Sequence, residues 1–188
     1  MLRKIDKPIE CCRHCPYCLE VHKQFCKLTQ DTIKNISVIP DNCPLPDAGV
    51  KTGCVVMIVR DGKVLLGERG DACQTAKGVF AYPGGRMEFG QTPKQSAVRE
   101  VFEETGLILL EKELTFLRYV NEYFPEEKRH YVSLVFMAKS PASEGDPINK
   151  EPTKCKGWGW YDPDKIPENV FWAVRESTEM FRWKIAGA

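Results

Sequence analysis

GGRMEFGQTPKQSAVREVFEETGL, residues 84–107, places Glu100, Glu103 and Glu104 within five residues of one another, just after a glycine-rich turn. Thr92 suits a helix N-cap, Pro93 the first helical position and Gly106 the residue just past the end, so a helix is predicted over about 92–105. A helix advances about 100° per residue. Val98, Val101 and Phe102 then share one face, expected to pack on a sheet, and the three glutamates gather on the opposite side within an arc of about 100°. Like charges at that spacing repel by roughly 0.2–0.5 kcal/mol per pair even on an exposed helix. Arg99 can relieve Glu103 one turn on, but one arginine does not balance three carboxylates.

Two readings compete for this face. One is a solvated acidic surface, the common fate of such a run. The other is a magnesium site, because Mg²⁺ takes hard oxygen ligands, usually one or two carboxylates completed by substrate phosphates and water. Three carboxylates on a rigid helix would hold such ions against a phosphate chain. A glycine turn beside them lets the backbone approach closely and offer a carbonyl.

The spacing resembles the signature of the Nudix family, which runs glycine, five residues, glutamate, seven residues, and then Arg-Glu-apolar-any-Glu-Glu-any-Gly-apolar. Here the series is Gly85, RMEFG, Gln91, TPKQSAV, Arg99, Glu100, Val101, Phe102, Glu103, Glu104, Thr105, Gly106, Leu107, and every defined position agrees except Gln91. KVLLGERGD, AYPGGRMEFGQ, FPEEKRHYVSLVFMA and EPTKCKGWGWYDPDKIP extend the likeness to the MutT-type nucleoside triphosphate diphosphatases, over roughly 52–171. The resemblance implies an α/β fold, the Nudix α/β/α sandwich with a mixed β-sheet. It implies an enzyme, a pyrophosphohydrolase (nucleotide diphosphatase) that uses Mg²⁺ or Mn²⁺ to cut nucleoside triphosphates into the monophosphate and pyrophosphate. The substrates implied are dNTPs, oxidised or modified ones among them. Hydrolysis of another nucleoside diphosphate-linked compound such as ADP-ribose is an alternative. So is a non-catalytic Nudix-fold binding module, against which the retention of Glu100, Glu103 and Glu104 argues.

Carried over position by position, the resemblance makes Glu100, Glu103 and Glu104 magnesium ligands, with the Gly84 carbonyl as a further one. Arg99 would hold a carboxylate in orientation, and Glu103 and Glu104 are both candidates for taking the proton of the attacking water. Gln91 keeps an acceptor oxygen but loses charge and basicity. That implies fewer or weaker metal sites and a slower enzyme. Arg69 matches a phosphate contact, and Tyr131, Gly157 and Trp158 are the expected base contacts. Trp158 and Trp160 also admit a structural role, one of the two being expected to face the core.

Around this stretch, TGCVVMIVRDGKVLLGERG reads as a β-hairpin with Asp61-Gly62 at its turn. A short strand over 79–82 is expected to lead into a turn at Pro83, Gly84 and Gly85. ELTFLRYVNEYF, HYVSLVFMA and KGWGWYD read as strands, residues 139–156 as a polar loop, and about 169–183 as a helix burying Phe171, Val174 and Phe181. Strands with helices at two places suggest a mixed sheet covered by helices.

The 188 residues carry 27 Lys/Arg against 26 Asp/Glu, so neither nucleic-acid nor membrane-surface binding is favoured. CVVMIV is strand-sized, too short to span a bilayer. MLRKIDKPIE lacks the apolar run of a signal peptide, and a cytoplasmic protein with a small-molecule nucleotide partner is expected. Self-association as a homodimer is left open.

Six of the nine cysteines, Cys11, Cys12, Cys15, Cys18, Cys26 and Cys43, fall in residues 1–49 together with His14 and His22. In a reducing compartment such clusters more often bind metal than form disulfides. Cys15, Cys18, Cys26 and Cys43 are the preferred tetrahedral set for a structural Zn²⁺. Sets using His22 or the Cys12/Cys15 pair are alternatives, as are free thiols. A zinc-ribbon-like segment over 1–49 is too small to build a core without metal. The turn-rich IPDNCPLPDAG would join it to a Nudix domain over 50–188.

Overall fold

The computed structural model describes residues 50–73, 76–124, 129–140 and 145–187, together with a two-stranded ribbon in the head. By contacts the chain divides into two units, Met1–Val50 with Tyr123–His130, and Lys51–Glu122 with Tyr131–Ala188. The ribbon pairs β1 (Cys18–Leu19) with β2 (Phe25–Cys26) antiparallel, Cys18 standing opposite Cys26. The other preferred zinc ligands, Cys15 and Cys43, lie outside the described residues, as does the rest of the zinc-ribbon-like segment.

In the larger unit, β3 (Lys51–Arg60) turns through Asp61 and Gly62 into β4 (Lys63–Arg69). Both turn residues take positive φ, 48° and 70°, as a two-residue hairpin turn that matches strand twist requires. β5 (Phe80–Ala81) follows, then β6 (Gly84–Arg86), where a plain turn was expected. Gly84 lets that segment lie against β3, where a Cβ would collide with the Cys54 carbonyl oxygen. Beyond α1 (Pro93–Thr105) come β7 (Thr115–Phe124), β8 (Arg129–Lys139) and β9 (Cys155–Tyr161). The predicted last helix is two, α2 (Trp172–Met180) and α3 (Arg182–Ala186), broken at Phe181. Val174 is buried, whereas Phe171 and Phe181 are only partly so.

The strands order as β5-β4-β3-β8-β7, with β6 on β3 and β9 on β4. β3 and β8 run parallel while β4, β6 and β9 pair antiparallel, so the sheet is mixed. β3 and β4 are paired only beside their turn, at Val59 with Val64 and Arg60 with Lys63. Further along they part. β6 takes the first half of β3, and β9 takes β4.

Residues two apart on a strand share a face, so the apolar run of β3 feeds both sides of the sheet. Cys54, Val56 and Ile58, with Leu65 and Phe136, pack under Ala97 and Val101 of α1. Met57 and Val59, with Val64, Leu66 and Val135, pack under Ala173, Val174 and Ile185 of α2 and α3. Helices thus cover both faces, as the expected α/β/α sandwich requires. Among the described residues no helix is long and apolar enough to cross a membrane.

Candidate active site

Local chemistry fixes α1 at both ends. Thr92 Oγ1 accepts from the Gln95 N–H at 3.2 Å, and Gln95 Oε1 accepts from the Thr92 N–H at 3.0 Å, a reciprocal capping box. Gly106 ends the helix at φ 74°. Val98 and Val101 pack on the sheet as expected, and the inward side departs from the expectation at Phe102. Ala97, Val101 and Thr105 face the sheet, while Phe102 is 46% exposed under the Lys150 ammonium, 3.8 Å from its ring. Small residues let the helix sit close to β3, which rotates Phe102 outward. The same rotation brings Glu100 and Glu104 to the flank of the buried stripe, beside β6, and leaves Glu103 on the outer side.

Gly85 makes room for the Glu100 carboxylate, and Gly84 offers its N–H to Glu104. A Cβ on Gly85 would stand 2.6 Å from the carboxyl carbon and both oxygens of Glu100. The Gly84 N–H donates to Glu104 Oε2 at 3.0 Å. Burial pushes the Glu104 carboxyl up to about 8; Glu100 and Glu151 push the same way, against the Gly84 N–H and Arg69. Glu100 is raised by burial too, with Arg99 opposing.

Glu151 is the carboxylate that periodicity could not find. It belongs to a strap that closes over the C-terminal end of α1, where helix carbonyls lack intrahelical partners. The Ile148 N–H donates to the Thr105 carbonyl at 2.8 Å and the Lys150 N–H to the Glu104 carbonyl at 3.2 Å. The Trp158 indole N–H donates to that same Glu104 carbonyl, also at 3.2 Å.

Arg99 collects the polar groups on the outer side of the helix. Its guanidinium donates to Glu100 Oε1 at 2.8 Å, Glu103 Oε2 at 2.7 Å and the Arg86 carbonyl at 3.3 Å. Gln91 Oε1 accepts from Arg99 Nε at 3.4 Å, and Glu88 Oε1 lies 3.9 Å from Arg99 Nη1. Gln91 therefore joins the arginine, and so does Glu103.

Arg69, at the end of β4, lies with its guanidinium 5.3 Å from the centre of the Phe171 ring, in the field of Glu104 and of Glu122. Glu122 is a second carboxylate not foreseen. Burial raises its pKa, and it accepts a hydrogen bond from the Ser133 hydroxyl. Tyr131 opens the parallel register opposite Lys51. At Gly157 a Cβ would meet nothing within 4 Å. Trp158 and Trp160 both pack toward the α1 face, where one had been expected to turn away, because residues two apart on a strand point alike. The Trp158 ring fills the space over Gly67, 2.6 Å from where a Cβ would stand. A cavity of about 310 Å³ at the far end of the hairpin is lined by Arg60, Asp61, Lys63, Gly145, Asp146 and Trp160. Its arginine is already bound to Ser140, Gly145 and Asp146 and stacked on Trp160.

As the side chains stand, no three His, Cys, Asp or Glu among the described residues are close enough to hold one metal ion. Glu103, turned to Arg99, is the member of the expected set that stands away. The chemistry of Glu100, Glu104 and Glu151 nevertheless fits a hard divalent cation: oxygen donors only, the first two desolvated, and all in one another's repelling field.

The NUDIX domain model matches residues 49–183. The chain belongs to the Nudix family. It is 32% identical over 128 residues to an ADP-ribose pyrophosphatase of Methanocaldococcus jannaschii, covering 68% of this chain and 71% of that one. To an oxidized purine nucleoside triphosphate hydrolase of Danio rerio it is 31% identical over 121 residues, 63% and 70% of the two chains. The crystal structure of a MutT NUDIX hydrolase from Burkholderia pseudomallei superposes with a TM-score of 0.63 at 29% identity, over 70% of this chain and 97% of that one. The protein is thus a Nudix hydrolase, and residues 85–107 are the stretch that resembles the Nudix signature.

Proposed function

We propose that this Nudix hydrolase is a cytoplasmic, Mg²⁺-dependent diphosphatase of the MutT type, cutting nucleoside triphosphates, dNTPs and their oxidised or modified forms, to the monophosphate and pyrophosphate. The observation that carries the reading is the desolvated Glu104 carboxyl, bound to the Gly84 N–H and in the field of Glu100 and Glu151, with Glu100 packed against Gly85: acidic groups that a divalent cation would compensate. Glu100, Glu104 and Glu151 would hold the cation, with Glu103 and the Gly84 carbonyl completing the set. A divalent cation supplies neutralisation of the phosphate chain and makes water a nucleophile near neutral pH.

The residues of the chain divide the remaining work. Arg99 fixes the Glu100 carboxylate from outside and holds Glu103 as well. Of the two candidates for accepting the water's proton, Glu104 is favoured, because only its Oε2 is engaged, by Gly84, whereas Glu103 is paired and half exposed. Arg69 would face the phosphates, screening charge in the direction in which it already acts on Glu104. Tyr131 and Gly157 would contact the base. Trp158 would serve it at one remove, by pinning the end of α1.

Hydrolysis of ADP-ribose is the second reading, favoured by the likeness to an ADP-ribose pyrophosphatase. A panel of dNTPs, 8-oxo-dGTP and ADP-ribose, incubated with Mg²⁺, separates them by product. Pyrophosphate with a nucleoside monophosphate supports the first. AMP with ribose 5-phosphate supports the second. Silence on the whole panel rejects both.

For the head, we propose a structural Zn²⁺ on Cys15, Cys18, Cys26 and Cys43. The Cys18–Cys26 register supports it, since opposed strand positions have their Cα atoms about 4.5–5.5 Å apart. Freshly purified, reduced protein should carry about one zinc per chain by elemental analysis; a value near zero would remove the assignment.

A further inference from the structure

Lys154 is the cation that the carboxylate site already possesses. The turn over 151–154 is closed by the Lys154 N–H donating to the Glu151 carbonyl at 2.9 Å, which folds the lysine back over the glutamate. Its ammonium then pairs with Glu151 Oε1 at 2.7 Å. The backbone here is clamped to the end of β4: the Gly70 N–H donates to the Lys154 carbonyl at 2.6 Å, and the Cys73 thiol points to the same oxygen at 3.1 Å. A Cβ on Gly70 would stand 2.6 Å from the Thr153 carbonyl, so the clamp depends on a glycine. The position of Lys154 is therefore built by the fold, while its side chain is 60% exposed and packed only loosely around its ion pair with Glu151. Glu104 and Glu100 lie within its field as well.

We propose that Lys154 is a built-in counter-ion of the carboxylate site: it holds Glu151 until a divalent cation takes that carboxylate, and once displaced its ammonium pairs with a phosphate oxygen of the substrate. The inference rests on the reading of Glu100, Glu104 and Glu151 as cation ligands. Two cations cannot share Glu151 without repelling each other. The lysine therefore opposes metal binding in the empty protein and favours an anion in the loaded one. With Arg69, at the end of β4, also in the field of Glu104, the released ammonium provides a second positive group for a diphosphate.

The two halves predict effects of opposite sign from a single change. Metal-free wild type, Lys154→Met and Lys154→Arg are titrated with Mn²⁺, the free ion being followed by electron paramagnetic resonance. Lys154→Met is expected to bind Mn²⁺ about three- to tenfold more tightly than wild type, the scale of one partly exposed ion pair, and Lys154→Arg about as wild type does. At saturating Mn²⁺, inorganic pyrophosphate should bind Lys154→Met about three- to tenfold more weakly. Lys154→Gln repeats the test should the methionine variant melt at a lower temperature than wild type. Equal or weaker Mn²⁺ binding by the neutral variants overturns the counter-ion role, and unchanged pyrophosphate affinity overturns the phosphate contact. The sign split without turnover of any nucleotide would sink the proposed substrate and leave the role of Lys154 standing. Absence of Mn²⁺ binding in every form would sink both.

Discussion

Gln91 Oε1 accepts a hydrogen bond from Arg99 Nε at 3.4 Å, while Gln91 Nε2 donates to Glu88 Oε2, also at 3.4 Å. The one departure from the Nudix signature thus falls on the arginine that holds Glu100 and Glu103. A carboxylate is still present in that cradle, supplied by Glu88 at 3.9 Å.

Gln91→Glu should therefore change little. The new carboxylate would gain from Arg99 and lose against Glu88, each at a partly exposed site where an ion pair contributes about 1 kcal/mol or less. Turnover within about threefold of wild type and unaltered Mn²⁺ affinity are expected. A large rise in metal affinity would instead return position 91 to the cation.

Gly85→Ala tests how closely the backbone must approach Glu100. The added methyl stands 2.6 Å from all three atoms of the carboxyl group and must displace it. Since a misplacement of about 1 Å at a reacting centre can cost on the order of 100-fold, kcat should fall by at least that much. Circular dichroism should show the sheet and helices intact. Activity within tenfold of wild type would mean that Glu100 need not sit where it does.

Metal-free protein should lose stability as pH rises. Glu104 titrates near 8 when folded against about 4.5 for an ordinary glutamate, so the folded state binds more protons between those values. The contribution of this group is then greatest below about 4.5 and declines through the window to about 8, by up to about 1.4 kcal/mol per unit. Glu104→Gln should melt higher than wild type at pH 8 and equally at pH 5, and millimolar Mg²⁺ should close the gap at pH 8. A difference in Tm that ignores both pH and Mg²⁺ would contradict this.

Tyr82→Phe separates fold from chemistry. Tyr82 is 2% exposed, and its hydroxyl lies 2.6 Å from Thr178 Oγ1 and 3.3 Å from the Val174 carbonyl. Removing the hydroxyl leaves Thr178 without this buried partner and should cost about 1–3 kcal/mol, read by urea unfolding, with kcat unchanged.

The sequence makes α1 legible because its signals are local: cap, proline, glycine stop, and carboxylates at fixed spacing. Its inward side is less so. Ala97 and Thr105 hardly register as apolar, whereas Phe102 does; the choice between them is made by how closely the helix approaches β3. Glu151 and Lys154 lie in a stretch with no period, and only the hydrogen bonds that tie it to the end of α1 and to Gly70 bring them to the site. Glu122 looks like one of the polar residues alternating along β7, and its burial depends on Ser133 of a neighbouring strand. The break at Phe181 has no glycine or proline to announce it.

The central claim is that Glu104 serves a cation-dependent cleavage of a phosphoanhydride. The most direct measurement compares wild type with Glu104→Gln on the best substrate of the nucleotide panel, following product formation with and without Mg²⁺. Cleavage that needs Mg²⁺ and falls by about 100-fold or more in the variant, with its metal-free Tm at pH 8 no lower than that of wild type, is the predicted result. Mg²⁺-independent cleavage, or a Glu104→Gln protein as active as wild type, would contradict it.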